Sequence, residues 1–237
     1  MSLKIKGLAF LSIVAMGVSL SAVAQDEFTG KATLGFLSTS GNSESSSVNA
    51  GAELAWVRDR WTYTVDALAL GAEVEGESTA EAYAAGARAE WSINDASYLF
   101  GQARWDKDKF SGYDQQTTQA VGYGRVLLSN DTMEWNAELG AGARQSDLRD
   151  GTSESDTILR AATDYKYVFS ETSEFNAAFS VESGEENTAA QSLLAIKARL
   201  FEDLALVASY RVRYNSDVPV GSEKRDTFTA ISLEYAF

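Results

Sequence analysis

The sequence has no histidine and no cysteine, and its single proline is Pro219. The lack of cysteine means that no disulfide stabilises the fold. The lack of histidine excludes Ser-His and Cys-His nucleophilic pairs, histidine general bases and histidine metal sites. Catalysis by a pair of carboxylates, as in glycoside hydrolysis, remains possible for this chain.

Long hydrophobic runs are also missing beyond the N-terminal segment. The apolar stretch 7–20 follows two lysines and is too short to cross a bilayer as a helix. An A-x-A motif ends at Ala24, so residues 1–24 are predicted to be a signal peptide cleaved after Ala24. The alternative is a membrane-anchoring helix. Residues 25–237 then form one exported domain.

Basic side chains are scarce in the predicted mature domain. Without the two lysines of the signal peptide, 18 Lys and Arg face 34 Asp and Glu, a net charge of −16. Proteins that bind nucleic acid need a basic surface. This composition therefore excludes a nucleic-acid partner.

What the chain does contain is apolar alternation. In Met133–Ala143, Leu159–Phe169, Leu204–Tyr214 and Ile231–Phe237, apolar side chains occupy every second position. A β-strand places alternate side chains on opposite faces, so each segment predicts a strand with one apolar face. A final strand ending on an aromatic residue resembles the closing strand of an outer-membrane β-barrel. That resemblance implies recognition of this strand by the barrel-assembly machinery.

Two kinds of connection separate the alternating segments. The tight polar turns are Arg58–Arg60, Asn94–Ala96, Ser129–Asp131, Ser170–Thr172 and Phe201–Asp203. The longer connections are Thr39–Ser45, Glu73–Thr79, Phe110–Asp114, Asp147–Ser153, Gly184–Asn187 and Asp217–Lys224. We therefore predict an all-β, closed, transmembrane antiparallel barrel of about 12 strands, with short periplasmic turns and longer acidic extracellular loops. A soluble sandwich or a lipocalin-like barrel is the alternative.

Aromatic residues near the short turns favour the membrane barrel, because aromatic girdles lie at membrane interfaces. The predicted girdle residues are Trp56, Trp61, Trp91, Tyr98, Trp135, Tyr167, Phe169, Phe175 and Phe237. Their position predicts that the protein resides in the outer membrane, in contact with lipid and lipopolysaccharide. We also expect it to be a monomer.

Charged side chains alternate with the apolar ones and are predicted to face the lumen. The candidate lumen-lining residues are Arg88, Arg104, Asp106, Glu134, Glu138, Arg144, Arg160, Asp164, Arg211 and Arg213. Of these, Arg104, Asp106, Arg211 and Arg213 are expected near a constriction. With further residues such as Arg125, the lumen is predicted to be nearly balanced in charge. A 12-stranded barrel lies between barrels of about eight strands, which side chains fill, and barrels of about 16 to 18 strands, which leave an aqueous channel.

Three functions are compatible with these features. The first is a narrow porin-like pore or passive envelope component. The second is a plugged barrel whose acidic loops bind cations, lipopolysaccharide or a partner. The third and least favoured is a hydrolase that uses Glu134 and Glu138 on one strand face. We expect no enzyme, and we assign no cofactor or metal site.

Several segments resemble one known family. They are Ser38–Asn42, Arg58–Trp61, Tyr98–Gly101, Arg104–Asp106, Asp108–Asp114, Gly122–Gly124, Leu139–Gly142, Tyr214–Asp217 and Lys224–Thr227. The chain is similar, from about residue 30 to its end, to the YdiY-like family of salt-induced outer-membrane proteins, a domain of unknown function. The match is most specific at Phe110–Asp114. The resemblance implies an outer-membrane barrel and a link to salt, and it transfers no catalytic residue.

Overall fold

The structure is a computed structural model. It describes residues 27–39, 45–74, 77–108, 113–149, 151–218 and 224–237. The predicted signal peptide, its cleavage site and Pro219 lie outside the described residues, as does most of Phe110–Asp114. No helix in the described part of the chain is both long and apolar enough to cross a membrane.

Twelve β-strands account for almost all of the described chain. They are β1 (Glu27–Thr39), β2 (Ser45–Arg58), β3 (Trp61–Val74), β4 (Glu77–Asn94), β5 (Ser97–Asp108), β6 (Tyr113–Ser129), β7 (Met133–Leu148), β8 (Ser153–Ser170), β9 (Ser173–Ser183), β10 (Thr188–Arg199), β11 (Leu204–Asn215) and β12 (Arg225–Ala236).

Each strand pairs antiparallel with its neighbours in the sequence, and β1 pairs with β12 to close the barrel. The closure extends to the last residue, because Gly30 and Phe237 exchange two backbone hydrogen bonds of 2.7 and 2.9 Å. A closed ladder pairs backbone donors and acceptors around the ring, which a segment in hydrocarbon requires. The predicted 12-stranded transmembrane barrel is confirmed.

The eleven connections follow the predicted positions, but several are shorter than expected. We call the end with the connections 59–60, 95–96, 130–132, 171–172 and 200–203 the short-turn end, and the opposite end the long-loop end. The predicted loop Glu73–Thr79 lies almost entirely in β3 and β4, which leaves 75–76 as the connection. Only 216–224 is markedly long, because strand pairing continues into the polar segments.

The outer face of the barrel is apolar, and its large side chains are exposed. Val121, Leu139 and Leu159 are 67%, 70% and 70% exposed. Near the short-turn end, Trp56 stacks on Tyr63 with ring centroids 5.3 Å apart. A closed barrel with exposed aliphatic residues at mid-height and aromatic residues near one end is typical of membrane barrels.

Candidate functional site

The inward faces of the strands enclose a cavity of about 320 Å³. It extends from Ser92 and Val126, near the short-turn end, to Tyr214 and Asn215 at the long-loop end. Its described wall carries twice as many acidic as basic side chains. The acids are Glu53, Asp66, Glu90, Asp106, Glu134, Glu138, Asp164 and Glu182; the bases are Arg88, Arg104, Arg160 and Arg213.

Eight of the ten candidate lumen residues line this cavity, and Arg144 and Arg211 do not. These two arginines point inward but are only 2% exposed, so neighbouring side chains cover them. Arg125 lies exposed on the outer face of β6. The cavity wall is therefore more acidic than the balance predicted for the whole lumen, because some inward cations are packed away from it and Arg125 faces outward.

One part of the wall is built from aromatic side chains over glycine. Tyr98 and Phe100 of β5 point into the barrel, and we call them the aromatic platform. A side-chain carbon at Gly122 would lie 2.7 Å from the Phe100 ring, and one at Gly124 would collide with the Tyr98 ring. The missing side chains on β6 therefore make the space that the two rings occupy. The placement of Tyr98 in the outer girdle is wrong.

Glu138 of β7 is the centre of an ion-pair network above this platform. It pairs with the guanidinium groups of Arg88, at hydrogen-bond contact, and Arg160, at 3.2 Å. The hydroxyl of Tyr98 donates to the same carboxylate over 2.9 Å. The Arg88 guanidinium lies 4.5 Å from the Phe100 ring centroid, a cation–π distance. The network thus links four strands through one carboxylate.

Other ion pairs connect interior side chains toward both ends of the barrel. Toward the long-loop end, Arg104 lies 3.4 Å from Asp66 and 3.0 Å from Asp106. Near the same end, Arg144 pairs with Asp156 at 3.2 Å and donates to the carbonyl of Asn187. Toward the short-turn end, the pairs are Lys31 with Glu53 at 3.2 Å and Lys197 with Glu234 at 2.6 Å. Most cations of the interior are therefore already neutralised.

The opposite side of the interior contains a group of buried apolar side chains, which alternate along the strands with outward positions and adjoin the buried polar residues Ser209, Arg211 and Ser232. Leu193 and Ala195 of β10, Ala205 and Val207 of β11, and Ala230 of β12 form what we call the apolar wall. Their side chains alternate with the exposed, lipid-facing positions, and they are only 3% to 9% exposed. An inward side chain in a barrel is buried only where other interior groups cover it. Other interior groups therefore cover these five side chains, although Leu193 also lines the cavity.

Neighbouring side chains engage both glutamates that were considered for hydrolysis. Glu138 is occupied by two arginines and a tyrosine, and Glu134 accepts a hydrogen bond from Asn136 over 3.2 Å. Glu134 and Glu138 are therefore not a pair of free carboxylates of the kind that glycoside hydrolysis uses. Within the described ranges, no group of three or more acidic side chains is placed to hold a metal ion.

Comparison with known proteins identifies the family to which this chain belongs. A family model described as a protein of unknown function, DUF481, matches residues 32–237. The chain belongs to this family. The uncharacterized protein YdiY of Escherichia coli K12 is 32% identical over 216 residues, which make up 91% of this chain and 85% of that protein. The resemblance found in the sequence is therefore confirmed.

Solved structures support the fold. The DUF481 barrel superimposes on an outer-membrane channel from Pseudomonas putida F1 with a TM-score of 0.57, at 12% identity, over 95% of this chain and all of that one. A NanC porin structure gives a TM-score of 0.51 at 8% identity, over 89% of this chain and 98% of that one. At such identities the likeness concerns the barrel fold alone.

Three of the family-like segments meet in the aromatic platform. Tyr98–Gly101 supplies the rings, while Gly122–Gly124 and Leu139–Gly142 supply the glycines beside them. A carbon added at Gly140 would lie 3.2 Å from the Phe100 ring. Strand parity could have found these residues, because Tyr98 and Phe100 share the parity of Arg104. The girdle prediction fails at Tyr98 because an aromatic residue near a short turn is also typical of a membrane-interface girdle.

Proposed function

We propose that this DUF481 protein is a narrow outer-membrane pore that favours small cations. The observation that supports it most directly is the cavity wall, with eight acidic and four basic side chains. Rings of carboxylates select cations in channels, because they attract cations and repel anions at close range. The ion pairs reduce this field without removing the acidic excess.

Two carboxylates are suited to set the selectivity. Glu134 and Asp164 line the cavity, and neither forms an ion pair with another described side chain. Asn136 stands between them, because it follows Glu134 on the inward face of β7 and is registered with Asp164 of β8. Their charge is thus available to a passing cation.

The test is the reversal potential of the refolded protein in a planar bilayer under a KCl gradient. We expect the wild type to prefer K⁺, and the double variant E134Q/D164N to lower the K⁺/Cl⁻ permeability ratio about twofold or more. The matched control is Asp114→Asn, a carboxylate that is 53% exposed and pairs with Lys107 outside the lumen. An unchanged ratio in the double variant would refute the assignment, and an anion preference in the wild type would refute the proposal.

A plugged barrel is the second candidate, and the density of interior ion pairs favours it. In that case, the folded protein would be silent, and the long-loop end would bind cations, lipopolysaccharide or a partner. Asn187 organises that end, because its Oδ1 accepts from the backbone N–H groups of Ser216 and Asp217 at 3.0 and 3.2 Å. Silent bilayers with a folded, heat-resistant barrel would support this candidate.

Location and assembly complete the proposal. The barrel would enter the outer membrane after removal of residues 1–24, with the short-turn end in the periplasm, helped by recognition of the strand that ends at Phe237. No catalytic role is assigned. The link to salt that the family resemblance implies remains a prediction, and measuring transcript levels at two salt concentrations would test it.

A further inference from the structure

An ion pair joins two walls of the barrel across the lumen. Strands β5 and β11 are six strands apart in either direction around the closed ring, so they face each other. Arg213 of β11 donates from Nη2 to Oδ2 of Asp108 of β5 over 2.6 Å. A bond between opposite walls must pass through the space that they enclose. We call Asp108 and Arg213 the cross-lumen pair.

Both members of the pair are held in place. Arg149, in the connection between β7 and β8, donates to the backbone carbonyl of Asp108 over 2.8 Å. The Arg213 guanidinium carbon lies 5.1 Å from the ring centroid of Phe228 on β12, a cation–π distance. The Asp108 and Arg213 side chains are 10% and 23% exposed. Ion pairs with this degree of burial and support are screened by salt less than surface pairs.

The pair also lies at one end of the cavity. Arg213 lines the cavity together with Tyr113, Tyr214 and Asn215, all close to the long-loop ends of their strands. Asp108 is the last residue of β5. A solute that enters from the long-loop end therefore meets the cross-lumen pair before it reaches the acidic wall around Glu138 and Asp164.

We infer that the cross-lumen pair is the constriction that sets the size limit for solutes at the long-loop end. This inference rests on the proposed pore function and adds its size-determining residues. Glu134 and Asp164 would select by charge, whereas Asp108 and Arg213 would select by width. Pore diameter and lining charge are separate determinants of selectivity in channels.

The test exploits the absence of cysteine from the chain. The variants Asp108→Ala and Arg213→Ala should each raise single-channel conductance about twofold or more, and should admit larger neutral polyethylene glycols. In the double variant D108C/R213C, a short bis-methanethiosulfonate linker should lower the conductance again, and a reductant should restore it. Heat-modifiable electrophoretic mobility checks that each variant is folded.

The matched control is the pair Lys107 and Asp114, 3.2 Å apart, in which Lys107 directly precedes Asp108 in the sequence. K107A/D114A and K107C/D114C should leave conductance and solute limit unchanged, with or without linker. If the wild type conducts and the folded cross-lumen variants behave like it, the pore stands and the constriction is refuted. If the wild type and all variants are silent, both proposals fail. A silent wild type with conducting alanine variants would support the constriction as a complete closure.

Discussion

The inner faces on two sides of the lumen differ in the side chains that cover them. Around Glu138, inward positions carry charged side chains that form ion pairs, together with the Tyr98 ring, which donates a hydrogen bond to Glu138. These groups leave space for a cavity. Along β10–β12, the five apolar-wall side chains are only 3% to 9% exposed and stand beside charged inward residues such as Arg211 and Glu234. The comparison teaches that facing inward in this barrel does not mean facing water.

The largest effect is expected on the charged side, from Glu138→Ala. Glu138 is 6% exposed, its removal leaves two half-buried guanidinium groups without their shared carboxylate, and breaking a buried pair in this way costs about 3 to 5 kcal/mol. The free energy of unfolding in urea, measured on barrels refolded in detergent micelles, checks the value. The control is Glu171→Ala in a short turn, where the side chain is exposed. Equal stability of the two variants would contradict the network.

The next effect is expected on the apolar wall, from Leu193→Ala. Leu193 is 3% exposed, and truncation of a buried leucine costs about 2 to 5 kcal/mol. The same urea titration measures the loss. Leu194→Ala, one residue along the strand and 44% exposed on the outer face, should cost less than half as much because lipid or detergent fills the space. A larger loss at Leu194 would mean that the lumen beside β10 is open.

A smaller effect is expected where the aromatic platform meets glycine. Gly122→Ala places a carbon against the Leu139 carbonyl and the Phe100 ring, and such overpacking costs about 1 to 3 kcal/mol. Gly101→Ala is the control, since its added carbon would meet only Val121 at 3.8 Å among the described residues. The urea midpoints of unfolding of the two variants measure this difference in stability. The platform would be wrongly placed if both substitutions were equally tolerated.

The smallest effect is expected outside the lumen, at the pair of Lys107 and Asp114. The side chains are 34% and 53% exposed, and exposed pairs contribute about 0 to 1 kcal/mol. A double-mutant cycle in urea would measure the coupling. A coupling as large as that between Arg88 and Glu138 would remove the contrast between interior and exterior pairs.

Much of the fold could be predicted because barrel strands have a period of two. The five short turns, the strand count and the outward position of Leu139 and Leu159 all follow from alternation and turn residues. Loop lengths were less predictable. The segment Glu73–Thr79 has a polar, acidic composition typical of loops, yet strand pairing continues through most of it. Pairing supplies backbone hydrogen bonds, which composition does not reveal.

By itself, the sequence determined which face of most strands meets lipid, because side-chain alternation is a local property of the strand. It also placed Glu134, Glu138 and Arg160 on the inner face. Only the tertiary structure decided which inward groups meet: that Asp108 reaches Arg213 from the opposite wall, and that Arg144 and Arg211 are packed away from the cavity. Such contacts depend on closure of the ring and on the register between strands, and parity within one strand contains neither.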